Sequence, residues 1–289
     1  MRVLITGAEG MLGKDLSPVL KPDHEVLPLN HSACDVTVGA EVSRVFRDWQ
    51  PELVIHCAAY TDVDGCERNS KRAFAVNAEG AANVVRASEQ VGARVFYIST
   101  DYVFDGTKKS PYNEQDPTNP VNIYGHSKLE GEQKTLEQDW ENPRHLSIRT
   151  SWLYGIHGAN FVEKIVAAAR SRAKLTVVAD QVGCPTWTVH LARKIAELAG
   201  TSASGILNVA GSGQCSWHEF ARSIVEKLSF PVEVAPIESV AAGRAAKRPA
   251  NSVLGNQRLE QMGLTPLPYW KQALDEYFQI RQTMPVAAK

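Results

Sequence analysis

The first turn of this chain constrains its fold more than any other feature. Arg2-Val3-Leu4-Ile5-Thr6 is a short apolar run of strand type. It passes straight into Gly7-Ala8-Glu9-Gly10-Met11-Leu12-Gly13, and residues 11–20 then read as a helix. Glycines at 7, 10 and 13 let backbone N–H groups approach whatever sits at the helix N-terminus, an end that favours a phosphate. A tight turn with close helix packing would explain the glycines alone. Between a strand and a helix, at the head of an alternating chain, they point instead to a bound dinucleotide.

The alternation is regular. Strands are predicted over residues 2–6, 24–29, 53–57, 94–99 and 146–150, with helices over 11–20, 41–49, 72–91 and 127–138 between them. In the second helix Val42, Val45, Phe46 and Trp49 share one face. Such a chain builds a parallel sheet with helices on both faces and right-handed crossovers. The fold class is therefore α/β, a Rossmann-type doubly wound parallel sheet. After about Trp152 the rhythm loosens into helices over 160–173, 188–199 and 217–228 and strands over 175–179 and 205–210, and prolines and glycines gather between Pro231 and Pro268. We read residues 1–152 as an NAD(P)-binding domain and 153–289 as a smaller, mixed substrate-binding region, with 188–210 returning to the main sheet. The tail from about Thr283 reads as frayed.

Bulk properties exclude several functions. Net charge is −1 and there is no Lys/Arg block, which speaks against nucleic acid. No apolar run approaches the roughly 18 residues of a membrane helix, and glycine interrupts the first strand too early for a signal peptide. Five cysteines without a CxxC pair fit reduced thiols in a cytoplasmic protein.

The wider GxxGxxG spacing also accommodates a 2′-phosphate. The end of the second strand, Leu29-Asn30-His31, offers neither the carboxylate that selects NAD nor an Arg that selects NADP, so NADPH is expected with NADH as an alternative. Asp35 and Val36 fit an adenine contact, Asp35 accepting from the amino group and Val36 packing on the ring; the competing role for Asp35 is a helix N-cap. After the third strand, Ala58, Ala59, Tyr60 and Thr61 leave room for the cofactor's ribose and nicotinamide side. His56 reads as a core histidine. Asn77 sits mid-helix, where Asn is a poor helix former; it is counted among the cofactor contacts, bridging helix and sheet near the site, with a plain structural role as the alternative.

The strongest chemical signal is Tyr124-Gly125-His126-Ser127-Lys128. Tyr and Lys four apart share a helix face. A free phenol has a pKa of about 10, and a neighbouring ammonium favours its ionised form, so Tyr124 becomes a proton donor and acceptor for a carbonyl while Lys128 also holds the nicotinamide ribose. At the end of the fourth strand, Thr100 is placed to donate to that carbonyl, with Asp101 and Tyr102 facing the sugar or its neighbours. Ser99 reads as a strand-end hydroxyl satisfied by backbone.

The segments TGAEGMLG, CDVT, HCAAYTDVD, STDYVFDG, YGHSKLEGE, RTSWLYG, NFV, DQVGCPT and KRPANS together resemble the dTDP-4-dehydrorhamnose reductase family of the extended short-chain dehydrogenases, from residue 1 to about 280. The resemblance implies reduction of a 4-keto group on a dTDP-sugar by NADPH or NADH. It implies Thr100, Tyr124 and Lys128 as the catalytic trio. It implies Asp101, Tyr102 and Trp152 as sugar-nucleotide contacts, and Gly10, Met11, Leu12, Asp35, Val36, Ala59, Tyr60 and Thr61 as dinucleotide contacts beside Gly7, Gly13 and Ala58.

From the residues themselves, Trp152 suits packing on a sugar face or in a core. The loop 180–186 suits closing over a substrate or an ordinary turn with an N-cap. Arg248 suits a bidentate diphosphate clamp or a solvated charge pair. Tyr102 stands where related 4,6-dehydratases carry a Glu base, which disfavours dehydration. A 4-epimerase, and a dinucleotide-binding regulatory subunit of the kind that partners methionine adenosyltransferase, remain as alternatives. No metal is predicted, since Asp15 matches an acidic metal position of some relatives only loosely; a homodimer is left open.

Overall fold

In the computed structural model, residues 1–137 and 144–283 are described. The first half supplies strands β1 (Arg2–Thr6), β2 (Glu25–Leu29), β3 (Leu53–His56), β4 (Arg94–Thr100) and β5 (Leu146–Thr150). Between them run helices α1 (Met11–Leu20), α2 (Gly39–Trp49), α3 (Val63–Arg68), α4 (Ser70–Phe74), a π-helical turn at Ala75–Glu79, α5 (Gly80–Val91) and α6 (Ile123–Leu136). The second half adds strands β6 (Leu153–Tyr154), β7 (Lys174–Val178), β8 (Val182–Gly183), β9 (Thr186–Trp187), β10 (Gly205–Asn208), β11 (Cys215–Ser216) and β12 (Glu233–Ile237). Its helices are α7 (Phe161–Ala169), α8 (Thr188–Ala199), α9 (Trp217–Leu228), α10 (Gln257–Gln261) and α11 (Trp270–Thr283).

Six strands form one sheet in the order β10-β5-β4-β3-β1-β2, every pair parallel. Its strands are apolar almost throughout because both faces are covered. Val3, Ile5, Leu53 and Ile55 point to the side of α1 and α8, among Leu12, Leu16, Leu191 and Ile195. Their neighbours Leu4, Val54 and Val95 point to the side of α2 and α5, among Val42, Phe46, Val84 and Val85. The doubly wound parallel sheet read from the sequence is thus observed. A second core lies in the C-terminal half, where α7, α9 and α11 surround Tyr154, Trp187, Phe220, Trp270 and Tyr277. There β7 and β12 pair in parallel, and β12, α10 and α11 have no counterpart in the sequence reading. Among the described residues, no helix is long and apolar enough to cross a membrane.

Three element boundaries differ in ways that matter for the site. The helix expected over 127–138 starts at Ile123, because Asn122 caps it, its Oδ1 accepting from the Gly125 amide at 2.8 Å. The helix expected over 72–91 is interrupted by the π turn that carries Asn77. The helix expected over 160–173 stops at Ala169. The end of the 127–138 expectation, residue 138, and the tail beyond Thr283 lie outside the described residues.

Candidate active site

The chain leaves β1 towards β2 on one side and returns through β3 on the other, so the loops after β1 and β3 part at this point and open a crevice. A cleft of about 580 Å³ lies there. Gly7 has φ 66°, and a Cβ on it would stand 2.6 Å from the Ala58 nitrogen. A Cβ on Gly13 would stand 2.6 Å from the Gly7 carbonyl oxygen. Only glycine lets the loop press this closely on the end of β3. Gly10 is the N-cap of α1 and supplies no side-chain cap. The helix therefore begins with free amides and a positive dipole end, the complement of a phosphate. Met11 and Leu12 can offer that ligand only backbone: Leu12 is buried in the core, and the Met11 sulfur lies 3.7 Å from Asn160 Nδ2.

Asp35, Val36, Ala58, Ala59 and Tyr60 line the cleft together with Gly7 and Gly10. Asp35 is not a helix N-cap, since α2 is capped at Val38; its Oδ1 accepts instead from the Thr37 amide at 2.9 Å and hydroxyl at 2.8 Å. Thr61 is exposed and is not among the cleft-lining residues. Asn77 also stands apart from the direct contact predicted for it. It is fully buried, its Oδ1 accepts from the Tyr60 amide at 2.8 Å, and its Nδ2 donates to Tyr60 O at 3.1 Å and Ser127 Oγ at 2.9 Å. Asn77 is a positioning residue that ties the loop after β3 to α6. Glu9, Asn30, His31 and Arg72 line the cleft without having been singled out as contacts. Arg72 lies 4.7 Å over the Tyr60 ring, a pairing across helix and loop that no local spacing announces.

At the C-terminal edge of β4 the reactive groups meet. Tyr124, in the first turn of α6, presents its ring to the edge of Tyr102 at 5.8 Å and 77°. Its phenol lies beside the Thr100 hydroxyl. Thr100 Oγ1 donates to Asp101 Oδ1 at 3.1 Å and accepts from the Tyr102 amide at 3.2 Å. Burial raises the Tyr124 phenol above its ordinary range, Thr100 beside it opposes this, and Asp101 and Tyr102 add to it. The expected lowering of the phenol by Lys128 is not what the structure shows. Lys128 is 2% exposed, its Nζ donates to Ile98 O at 2.7 Å, and it lies 4.0 Å from the Tyr97 ring centroid. Burial pulls its pKa down to about 7, with Glu132 and Cys57 holding it up. Tyr124 thus keeps its proton, which is the state an acid requires.

Two substrate contacts read from the sequence are placed differently. Asp101 does not face open space: it is 2% exposed, and burial pushes its carboxyl up to about 7 against bonds from Ser252 and Thr100. Arg248 is already engaged. Its Nη1 and Nη2 grip the Asp64 carboxylate at 2.8 Å each, and Nη1 also donates to Ala246 O at 2.7 Å. A fork spent on Asp64 is not a free diphosphate clamp; it fastens the C-terminal segment to α3 beside Tyr102. Trp152 has φ 45°, a conformation L-residues rarely adopt, and stacks on Trp217 at 3.4 Å and 5°. One face of its indole is therefore taken, and the backbone strain marks a constrained position. The loop 180–186 is clasped to the segment after β12 by Asp180, which accepts from the Ser239 amide and hydroxyl. His56 is buried and bonded to Thr6 Oγ1 at 2.6 Å, and burial takes it down to about 3, a neutral core group. All five cysteines are free thiols.

This geometry has counterparts among known proteins. The family model described as RmlD substrate binding domain matches residues 1–283. A dTDP-4-dehydrorhamnose reductase of Burkholderia thailandensis is 39% identical, the match covering 95% of this chain and 97% of that protein. The crystal structure of a dTDP-4-dehydrorhamnose reductase from Clostridium acetobutylicum superposes with a TM-score of 0.95 at 40% identity, covering 98% of this chain and 100% of that one. The Bacillus anthracis dTDP-4-dehydrorhamnose reductase, in complex with NADP, gives 0.93 at 40% identity over 96% and 99%. With the glycine loop, the Thr100–Tyr124 pair and Lys128 in place on the same fold, the chain belongs to the dTDP-4-dehydrorhamnose reductase family of the extended short-chain dehydrogenases.

Proposed function

We propose that this protein reduces the 4-keto group of dTDP-6-deoxy-L-lyxo-4-hexulose to give dTDP-L-rhamnose, using NADPH or NADH. The observation that carries the reading is the Tyr124 phenol set against Thr100 and Tyr102 at the end of β4, on the same sheet edge as a cleft floored by a glycine loop and a helix N-terminus. When bound, the dinucleotide supplies the hydride. Gly7, Gly10 and Gly13, with the first amides of α1, hold its pyrophosphate, and Asp35 and Val36 its adenine. Ala58, Ala59 and Tyr60 border the path towards the reactive end. Lys128 holds the nicotinamide ribose. Thr100 orients the carbonyl and Tyr124 delivers the proton to its oxygen. Tyr102 and Trp152 border the sugar. In this reading residues 1–152 carry the cofactor and 153–289 cover the substrate, and the enzyme works in the cytoplasm, where its free thiols stay reduced.

The test supplies the 4-keto sugar nucleotide and NADPH and follows loss of reduced-nicotinamide absorbance. Consumption with stoichiometric formation of the 4-hydroxy sugar is expected; folded protein that consumes nothing refutes the assignment. The cradle is tested separately. Gly7→Ala forces a Cβ to 2.6 Å from Ala58 N at a φ of 66°, so the loop has to move. Dinucleotide affinity by calorimetry is expected to fall at least roughly tenfold. An unchanged Kd would show that the pyrophosphate lies elsewhere.

A further inference from the structure

We propose that Glu9, held by Asn30, reads the adenosine 2′ position and sets how far this enzyme favours NADPH over NADH, an inference that rests on the cofactor reading above. In sheets of this type the residue at the C-terminal end of the second strand faces the adenosine ribose, and a carboxylate there accepts from the 2′-hydroxyl. Here β2 ends at Leu29, and the next residue is the uncharged Asn30. Asn30 is fixed on its carbonyl side, where Oδ1 accepts from Ser32 Oγ and the Ala33 amide, both at 2.9 Å. Its amide donates to Glu9 Oε1 at 2.8 Å. Glu9 belongs to the glycine loop, is exposed, and lines the same cleft as Asn30 and Gly10. The carboxylate missing from the second strand thus arrives from the first turn. Asn30 engages one oxygen of Glu9 and leaves the other to accept from a ribose hydroxyl.

The surroundings share its sign. Asp35 lines the cleft, and Glu41 accepts from the Asp35 amide at 3.1 Å. The facing basic side chains are His31, 84% exposed and 3.9 Å from Asp35, and Arg72, which is turned over the Tyr60 ring at 4.7 Å. Arg44 pairs with Asp48. A 2′-phosphate adds close to two negative charges to this end of the cleft, whereas a 2′-hydroxyl brings a donor that Glu9 can use.

Glu9→Gln keeps an oxygen for Asn30 and removes the charge; Glu9→Lys reverses it. Kd for NADH and for NADPH is measured by calorimetry on wild type and both variants, without sugar, so that turnover plays no part. The ratio Kd(NADPH)/Kd(NADH) is expected to fall roughly tenfold in Glu9→Gln and further in Glu9→Lys. The same shift is expected between 2′,5′-ADP and 5′-AMP, which locates it at the 2′ group. A ratio that stays within about twofold in both variants overturns the role of Glu9 and leaves the cofactor reading standing. If neither dinucleotide binds wild-type protein, both fall.

Discussion

Tyr124→Phe is expected to lower turnover by roughly 10²–10⁴-fold while leaving dinucleotide affinity within about twofold of wild type. The substitution removes one oxygen and little else. The ring still meets the edge of Tyr102, and Thr100 still donates to Asp101 Oδ1, so the end of β4 keeps its shape. What disappears is the phenolic proton at the end of β4 that a carbonyl oxygen can receive. Lys128 cannot take its place, because its buried Nζ is held on Ile98 O. The measurement is kcat alongside Kd for the dinucleotide. Loss of both would signal a disturbed fold, and full retention of kcat would remove Tyr124 from the chemistry.

What the sequence revealed and what it hid divide along a physical line. The buried strands were legible because both faces of the sheet are covered, so Leu53–His56 and Arg94–Thr100 read as apolar runs. The glycine loop was legible because its residues are neighbours in the chain. The start of α6 was not, since Gly125 in its first turn looks like a helix breaker. Its lack of a side chain is required by a distant contact: a Cβ there would stand 2.2 Å from Tyr102 O. The π turn at Ala75–Glu79 follows from the bonds Asn77 makes to Tyr60 and Ser127, which no local propensity encodes. Neither a diphosphate clamp nor a solvated charge pair describes Arg248, because its partner Asp64 lies 184 residues away and no local pattern announces it. Glu9 is hidden for the converse reason: a carboxylate is expected at the end of β2, and the side chain that reaches Asn30 there comes from another loop. The type of chemistry is written in short motifs, whereas the assignment of partners is set by packing.

The pair beneath the site supplies the largest expected effect on stability. Glu132 follows Lys128 by one helical turn, and Arg149 reaches it from β5 with Nε to Oε1 at 2.9 Å and Nη2 to Oε2 at 2.7 Å, both side chains 2% exposed. Arg149 also lies 5.0 Å from the Phe104 ring centroid. Glu132→Ala leaves that guanidinium buried without its counter-ion and is expected to cost about 3–5 kcal/mol. Replacing both groups by apolar ones, Glu132→Leu with Arg149→Met, removes the desolvation of both charges and should return most of the loss. Urea denaturation of the two variants and wild type checks this; a single variant as stable as wild type would refute it. The double variant then isolates a second role of Glu132. Its carboxylate is the main influence holding Lys128 up against burial, which already brings the ammonium down to about 7. Without Glu132 the lysine titrates lower still, so its charge is lost as pH rises through a lower value. In a protein that remains folded, the basic limb of the kcat profile should move towards lower pH. An unmoved limb would mean that the pair is scaffolding alone and that Lys128 keeps its proton by other means.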